Sequence, residues 1–333
     1  MAVFPPNVLC HIVDAHCHPT DSKIPVDSVE RLDIKICAMS THRGDQSLVR
    51  DLALKNPAKV IPCFGYHPWF SHQISLHPGT SKTDHYRGLF LGDGSQENAE
   101  NTAIFDELLR LLPEPMDLDD VILELRQNFQ LFSSSTALLG EVGLDKAFRV
   151  AFDYYASPRR LTPFTIPIDH QISILERQID LAVELKRNVS LHSVKCPQAT
   201  VDLLNNLKKR HGPQWDSIRV DLHSCSMNPQ VVVDLQKKHS NMFMSLSTTI
   251  NGRSNNLNAL IAECSPDRLL VESDYNHIDH CTDKCIEIVK LVAQVKQWPI
   301  EEEWIDGTLP EDQWGAIRRL EANWKSFIAA ESK

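Results

Sequence analysis

Short apolar runs of strand type recur along the chain, each followed by a stretch with helical spacing. The runs fall at 12–13, 34–39, 60–64, 137–139, 189–191, 220–222, 242–246 and 269–271. Between them, segments 46–55, 169–186, 198–210, 229–239, 256–264 and 283–297 repeat apolar residues at three- and four-residue steps, as at Ile172, Leu175, Ile179 and Val183. That spacing builds one apolar face on a helix. Strands alternating with helices predict a parallel sheet, and eight such strands are the number that closes a (β/α)8 TIM barrel. One α/β barrel domain over 1–333 is the architecture expected.

Two stretches break the alternation. Segment 71–135 is long for one crossover: 93–97 reads as an exposed loop, and 105–112 and 121–132 read as helices. It is expected as an insertion after the third strand, either a lid or partner surface or an outer-layer elaboration. The tail, 298–333, is acidic at Glu301-Glu302-Glu303 and helical from 311, with Trp304, Trp314 and Trp324 expected to pack on the barrel.

In such a barrel the C-terminal ends of all strands open on the face that carries the active site. In strand order those ends read His16 and His18, Thr41-His42, Tyr66-His67, Glu141 and Asp145, His192, His223, Ser247-Thr248, and Glu272 with Asp274. Imidazoles and carboxylates from most strands are therefore predicted to meet in one small volume. His16 and His18, two apart on a strand, point the same way and can share an ion, although an isolated His-x-His carries little weight. Asp14, one step further back, is expected to orient a ligand histidine. Glu141, His192, His223 and Asp274 each end a buried strand, where an unpaired charge would be costly. A shared metal centre explains that recurrence better than isolated core polar groups do.

Composition narrows the setting. Apolar residues make up 42% of the 333 and charged residues 23%, enough for a core and too apolar for default disorder. A net charge of -10 argues against broad electrostatic attachment to nucleic acid or an anionic membrane, and leaves phosphate attraction to a local metal cluster. No apolar run reaches membrane-spanning length and the first six residues show neither a basic start nor an apolar leader, so the cytoplasm and/or nucleus is expected, with no membrane partner. The nine cysteines are odd in number and form no C-x-x-C pair. They read as reduced thiols, with Cys10, Cys17, Cys37 and Cys63 as small buried hydrophobes.

As an ordered set, Asp14-Ala15-His16-Cys17-His18, Gly65-Tyr66-His67-Pro68, Gly140 to Asp145, His192, His223 and Leu270-Val271-Glu272-Ser273-Asp274 resemble the TatD-type metal-dependent deoxyribonucleases, a branch of the amidohydrolase-like barrels. Asn323 and Phe327 match that family's closing helix. The resemblance implies two divalent ions, one held by His16, His18 and Asp274 and one by His192 and His223, with Glu141 bridging. Mixed imidazole and carboxylate ligation suits Zn²⁺, with Mg²⁺ or Mn²⁺ as alternatives. In the chemistry implied, Asp274 is the general base for a water activated between the ions. His67, close to the same mouth, is expected either to donate to a phosphate oxygen or leaving group or to make a strand-end hydrogen bond, and Glu272 and Asp145 to support ligands. The substrate implied is DNA, single-stranded or at a 3′ end, cut as by a 3′-exodeoxyribonuclease.

Several substrate-side positions depart from the family pattern. Val194, with Lys195 beside it, stands where the family carries an arginine, and Cys225-Ser226-Met227 replaces Phe-Ser-Gly. Tyr275-Asn276 replaces a small residue and proline, and His280-Cys281-Thr282 runs straight into the last barrel helix. A lysine does not replace a bidentate arginine well. Two other functions therefore stay open. One is a partner-binding role: fungal family members resemble this chain in their enlarged insertion, and one of them interacts with a tetratricopeptide subunit of the anaphase-promoting complex. The other is an amidohydrolase acting on a small cyclic amide.

Overall fold

A computed structural model describes residues 4–92, 98–133 and 136–329; the loop expected at 93–97 lies outside the described residues. Eight strands form one parallel sheet: β1 (Val13–Cys17), β2 (Lys35–Met39), β3 (Val60–Phe64), β4 (Leu138–Asp145), β5 (Val189–Val194), β6 (Val220–Leu222), β7 (Met242–Leu246) and β8 (Leu269–Val271). Neighbours pair in chain order and every crossover carries a helix, so the sheet curls into the expected (β/α)8 barrel. The main helices are α1 (Gln46–Lys55), α2 (Lys82–Phe90), α3 (Ala99–Leu111), α4 (Leu118–Gln130), α5 (Ile168–Leu185), α6 (Pro197–His211), α7 (Pro229–Lys238), α8 (Leu257–Glu263), α9 (Ile278–Lys296) and α10 (Ala316–Ile328).

Alternate strand residues face two cores. Ile36, Leu191, Leu222 and Met244 pack outward against helix residues such as Ile179, Leu204, Leu235 and Ile288. Ala15, Cys37, Met39, Cys63, Leu138, Phe243 and Leu270 form a second cluster, which Trp324 and Phe327 of α10 join. The amide of Asn323 fixes α10 by donating to the Pro266 and Leu269 carbonyls at 2.8 Å. With that end sealed, the strands' C-terminal ends form the open mouth. Trp304 and Trp314 are half-buried; Trp304 stacks on His11 with ring centroids 3.4 Å apart.

The seam between β8 and β1 brings their polar ends together. Asp274 N donates to His16 O at 2.9 Å and His18 N to Tyr275 O at 2.9 Å. Asp14 clamps the same seam, its carboxylate accepting from Ser273 N at 2.8 Å and Ser273 Oγ at 2.5 Å. Asp14 Oδ1 also accepts from His16 N at 3.2 Å, so it steadies the backbone of a ligand histidine as well as the seam. A register shift between Asp14 and Cys17 breaks the two-residue alternation and places Asp14 beside Cys17 and Cys281.

Segment 71–135 divides into two parts. The α4 residues Leu118, Val121, Leu125 and Phe129 belong to the main core, so α4 is the barrel's own crossover helix and does not lie outside it. Tyr86, Phe90, Phe105 and Leu108 of α2 and α3 build a separate cluster that takes in Val150, Phe164 and Ile166 from the loop after β4. Two helices begin five or more residues earlier than the spacing predicted. α3 starts at Ala99, where the Asn98 side chain accepts from Asn101 N at 2.8 Å. α9 starts at Ile278, whose burial with Cys281 and Cys285 extends the helix's apolar face. All nine cysteines are free, but Cys10 is exposed at the end of a four-residue helix, unlike Cys17, Cys37 and Cys63.

Candidate metal centre

Glu141 occupies the centre of the mouth. Its Oε1 lies 2.8 Å from His192 Nδ1, 2.9 Å from His223 Nε2 and 3.1 Å from His67 Nε2. Its Oε2 lies 3.3 Å from His18 Nε2 and 3.5 Å from His16 Nε2, and Asp274 Oδ1 is 3.5 Å from the same His18 nitrogen. All six expected ligands, and His67, thus meet in one cluster.

Local backbone geometry aims these side chains. A register shift between Leu139 and Val142 interrupts the ladder at Glu141, whose N donates to Ser40 O at 2.9 Å. Gly143 pairs with His192 and has φ +156°; a Cβ there would collide with the His192 carbonyl oxygen. Ser224 and Asp274 sit at φ 40° and 46°, a region L residues rarely adopt and one that clusters at functional sites. Ser224 N is held there by Glu272 Oε1 at 2.8 Å.

The far side of three rings meets a polar partner. His16 Nδ1 lies 2.7 Å from Ser190 Oγ, and His192 Nε2 lies 3.4 Å from Asp145 Oδ2. His223 Nδ1 faces Glu272 Oε1 at 3.5 Å, outside hydrogen-bond geometry, and His18 Nδ1 is buried without a partner among the described residues. Glu272 and Asp145 therefore stand behind ligand-type rings, as expected. His67 Nδ1 accepts from Trp69 N at 3.2 Å, which puts the proton of the neutral ring on Nε2, toward Glu141.

Burial and charge compete throughout the cluster. Burial alone would raise the Glu141 carboxyl, but His67, His223 and His16 outweigh it and hold it well below the usual range. Burial pushes His67 down to about 4, so this ring is neutral at neutral pH. Burial also opposes charge on His18, yet Asp274 and Glu141 hold its pKa well above the ordinary value. Beneath the cluster, burial and the nearby Glu272 push Asp221 up to about 7.

The donor set fits metal ions. His16 Nε2 and His18 Nε2 are 3.2 Å apart, as are His192 Nδ1 and His223 Nε2. Two ring nitrogens that close need a proton or a cation between them, and the two pairs flank opposite oxygens of one carboxylate. Borderline divalent cations favour this mixture of imidazole and carboxylate.

The mouth is a cavity of about 490 Å³. Sequence reading missed its aromatic wall of Trp69, Phe148 and Tyr154, and also Ser190, Asp221 and Ser245 beneath it. The buried trio was accessible: each lies two residues before a strand-end group, on the same strand face. Val194 does line the cavity, whereas Lys195 is exposed and does not. His42 stands aside, its Nδ1 3.0 Å from Asp45.

The fold and site together define a (β/α)8 barrel whose C-terminal mouth holds a buried cluster of imidazoles and carboxylates suited to divalent cations. The chain belongs to the TatD related DNase family, whose profile matches residues 13–304; hydrolases of this family are metal-dependent. It is 28% identical over 358 residues to Cut9-interacting protein scn1 of Schizosaccharomyces pombe, covering 95% of this chain and 98% of that protein. It is 29% identical over 330 residues to Uncharacterized deoxyribonuclease YMR262W of Saccharomyces cerevisiae, covering 95% and 99%. In fold it is similar to the TatD homolog YjjV of Escherichia coli (17% identity, TM-score 0.57, covering 96% and 98%). An uncharacterized amidohydrolase from Saccharomyces cerevisiae is similarly related (12% identity, TM-score 0.58, covering 95% and 99%). No helix among the described residues is long and apolar enough to cross a membrane.

Proposed function

We propose that the protein is a metal-dependent deoxyribonuclease of the cytoplasm or nucleus, hydrolysing phosphodiester bonds at single-stranded or 3′ ends of DNA. The observation that carries this reading is the convergence of four imidazole nitrogens, in two pairs, on the two oxygens of Glu141. His16, His18 and Asp274 would hold one divalent ion and His192 and His223 another, with Glu141 shared. When bound, the ions would polarise a phosphoryl oxygen and lower the pKa of a water. Zn²⁺ suits the donors best, and Mg²⁺ or Mn²⁺ are the alternatives to assay.

The chain's own groups supply the rest. Burial opposes ionisation of Asp274, but the His18 hydrogen bond and the charges of His223 and His16 keep it a carboxylate, able to accept the proton of an attacking water. His67 carries its proton on Nε2, facing Glu141 Oε1, and would pass it to a phosphate oxygen or leaving group once ions engage that carboxylate. The mouth admits a splayed strand more readily than a duplex.

Turnover of single-stranded DNA by metal-reconstituted protein, beside a panel of cyclic amides, tests the reading. Hydrolysis should stop with EDTA and fall by at least about 10²-fold in Asp274→Asn, the scale of a lost general base. Full activity in that variant would expose a contaminating nuclease and end the claim. Two observations favour a second reading: among the described residues no Lys or Arg lines this cavity, and the relative scn1 is named for its interaction with Cut9. If turnover is absent with both ions bound, a partner-binding role toward an anaphase-promoting-complex subunit becomes the better account, tested by co-purification.

A further inference from the structure

A phosphodiester substrate brings negative charge beyond the scissile phosphate, and no Lys or Arg among the described residues lines the metal-centre cavity to meet it. A second chamber of about 370 Å³ adjoins it, sharing Asp21, Thr41, Phe70 and Tyr154 as walls. Among the residues lining either chamber, Arg159 is the one arginine or lysine. Its guanidinium lies over the Tyr154 ring, 4.1 Å from the centroid, and makes no ion pair with a described residue. Its neighbour Arg160 is committed elsewhere, pairing with Glu107 of α3 and lying over Phe152.

An aromatic wall joins the chambers. Phe148 and Trp69 stack with centroids 5.2 Å apart and an interplanar angle of 14°, Tyr154 packs edge-on to Phe70 at 4.9 Å, and Tyr155 is 73% exposed. Exposed aromatic faces beside a cation are how proteins hold single-stranded nucleic acid without reading its sequence. The wall comes largely from the loop after β4. That loop is braced by Val150, Phe164 and Ile166 packing into the α2–α3 cluster, which gives the inserted helices a role in shaping the mouth.

We propose that the second chamber is a subsite for the nucleotide next to the scissile phosphate, with Arg159 binding its flanking phosphate and Tyr155 offering its exposed face to the base. This rests on the phosphodiesterase reading above. Asp21 stands where the chambers meet, so the flanking phosphate must lie on the Arg159 side of it. Arg159 thus supplies, from a different loop, charge that Val194 does not supply at the strand end.

The test is fluorescence anisotropy of a labelled phosphorothioate oligothymidylate on metal-reconstituted protein, with turnover of bis(p-nitrophenyl) phosphate measured beside it. Arg159→Ala should weaken oligothymidylate binding about tenfold, the scale of one charge-assisted contact. It should also flatten the logarithmic salt dependence by about 0.7, the slope for one phosphate on a single strand. Arg159→Lys should restore the salt slope more than the affinity, because it keeps the charge and loses the fork. Turnover of the small diester, too short to reach the second chamber, should be unchanged. Equal binding by wild type and Arg159→Ala, no binding by wild type, or equal loss on both probes would overturn the subsite. Wild type that binds oligothymidylate in an Arg159-dependent way yet turns over neither diester nor DNA would sink the hydrolase reading and leave the subsite standing.

Discussion

Ser190→Ala is the most economical probe of how the metal centre is held. Ser190 and His16 are both buried, and the serine Oγ lies 2.7 Å from His16 Nδ1. With Nδ1–H donating to that oxygen, the Nε2 lone pair faces Glu141 and His18. Removing the hydroxyl leaves a buried ring N–H without its partner, a cost of roughly 1–3 kcal/mol. In metal-free protein this should appear as a melting point lower by about 1.5 °C for each kcal/mol lost, given an unfolding entropy of about 2.1 cal/mol/K per residue over 333 residues. In the metal-loaded protein, the ring loses the contact that fixes its tautomer, and ion affinity should fall about 10–100-fold. Competition against a chelator, followed by elemental analysis, measures that fall. Ser193→Ala is the control: on the same strand, its Oγ lies 2.7 Å from Thr200 Oγ1 rather than against a ring, so ion affinity should not change. Unchanged affinity in Ser190→Ala, or equal losses in both variants, would refute the reasoning.

Two further predictions concern the frame of the site. Gly143→Ala should destabilise the protein by roughly 3 kcal/mol or more, measured by denaturant unfolding, because the new Cβ meets the His192 carbonyl at a φ that alanine resists. His72 is buried, with Nδ1 2.9 Å from Trp69 O, and burial lowers its pKa to about 4. The folded state then binds fewer protons than the unfolded state between about pH 6.5 and 4, so this contribution is present above 6.5 and lost as pH falls toward 4. The stability gap between wild type and His72→Gln should therefore close by roughly 3 kcal/mol across that window in urea titrations.

The strands were legible because each carries a run of apolar residues that matches the two-residue period, and their order followed from the crossovers. The ligand set was legible for a related reason: in a barrel, the residue ending each strand has only one place to go. What the sequence hid lies where that period breaks. The shift after Asp14 sends its carboxylate to the β8 seam, and no count of residues from His16 reveals it. Cys10 looked apolar by its neighbours but ends a short surface helix, so burial did not follow from composition. The aromatic wall was invisible for another reason. Trp69, Phe148 and Tyr154 belong to loops whose convergence depends on the packing of α2 and α3, a contact between segments far apart in the chain.

The central claim is that Glu141 is shared between two divalent ions, and metal stoichiometry tests it most directly. Elemental analysis of protein purified without chelator, wild type beside Glu141→Gln, is the measurement. The account predicts two divalent ions per chain in the wild type and loss of tight binding at both positions in the variant, since each pair of imidazoles would lose its common carboxylate. Wild type that holds no divalent ion on reconstitution, or a Glu141→Gln variant that keeps the full wild-type complement, would contradict it.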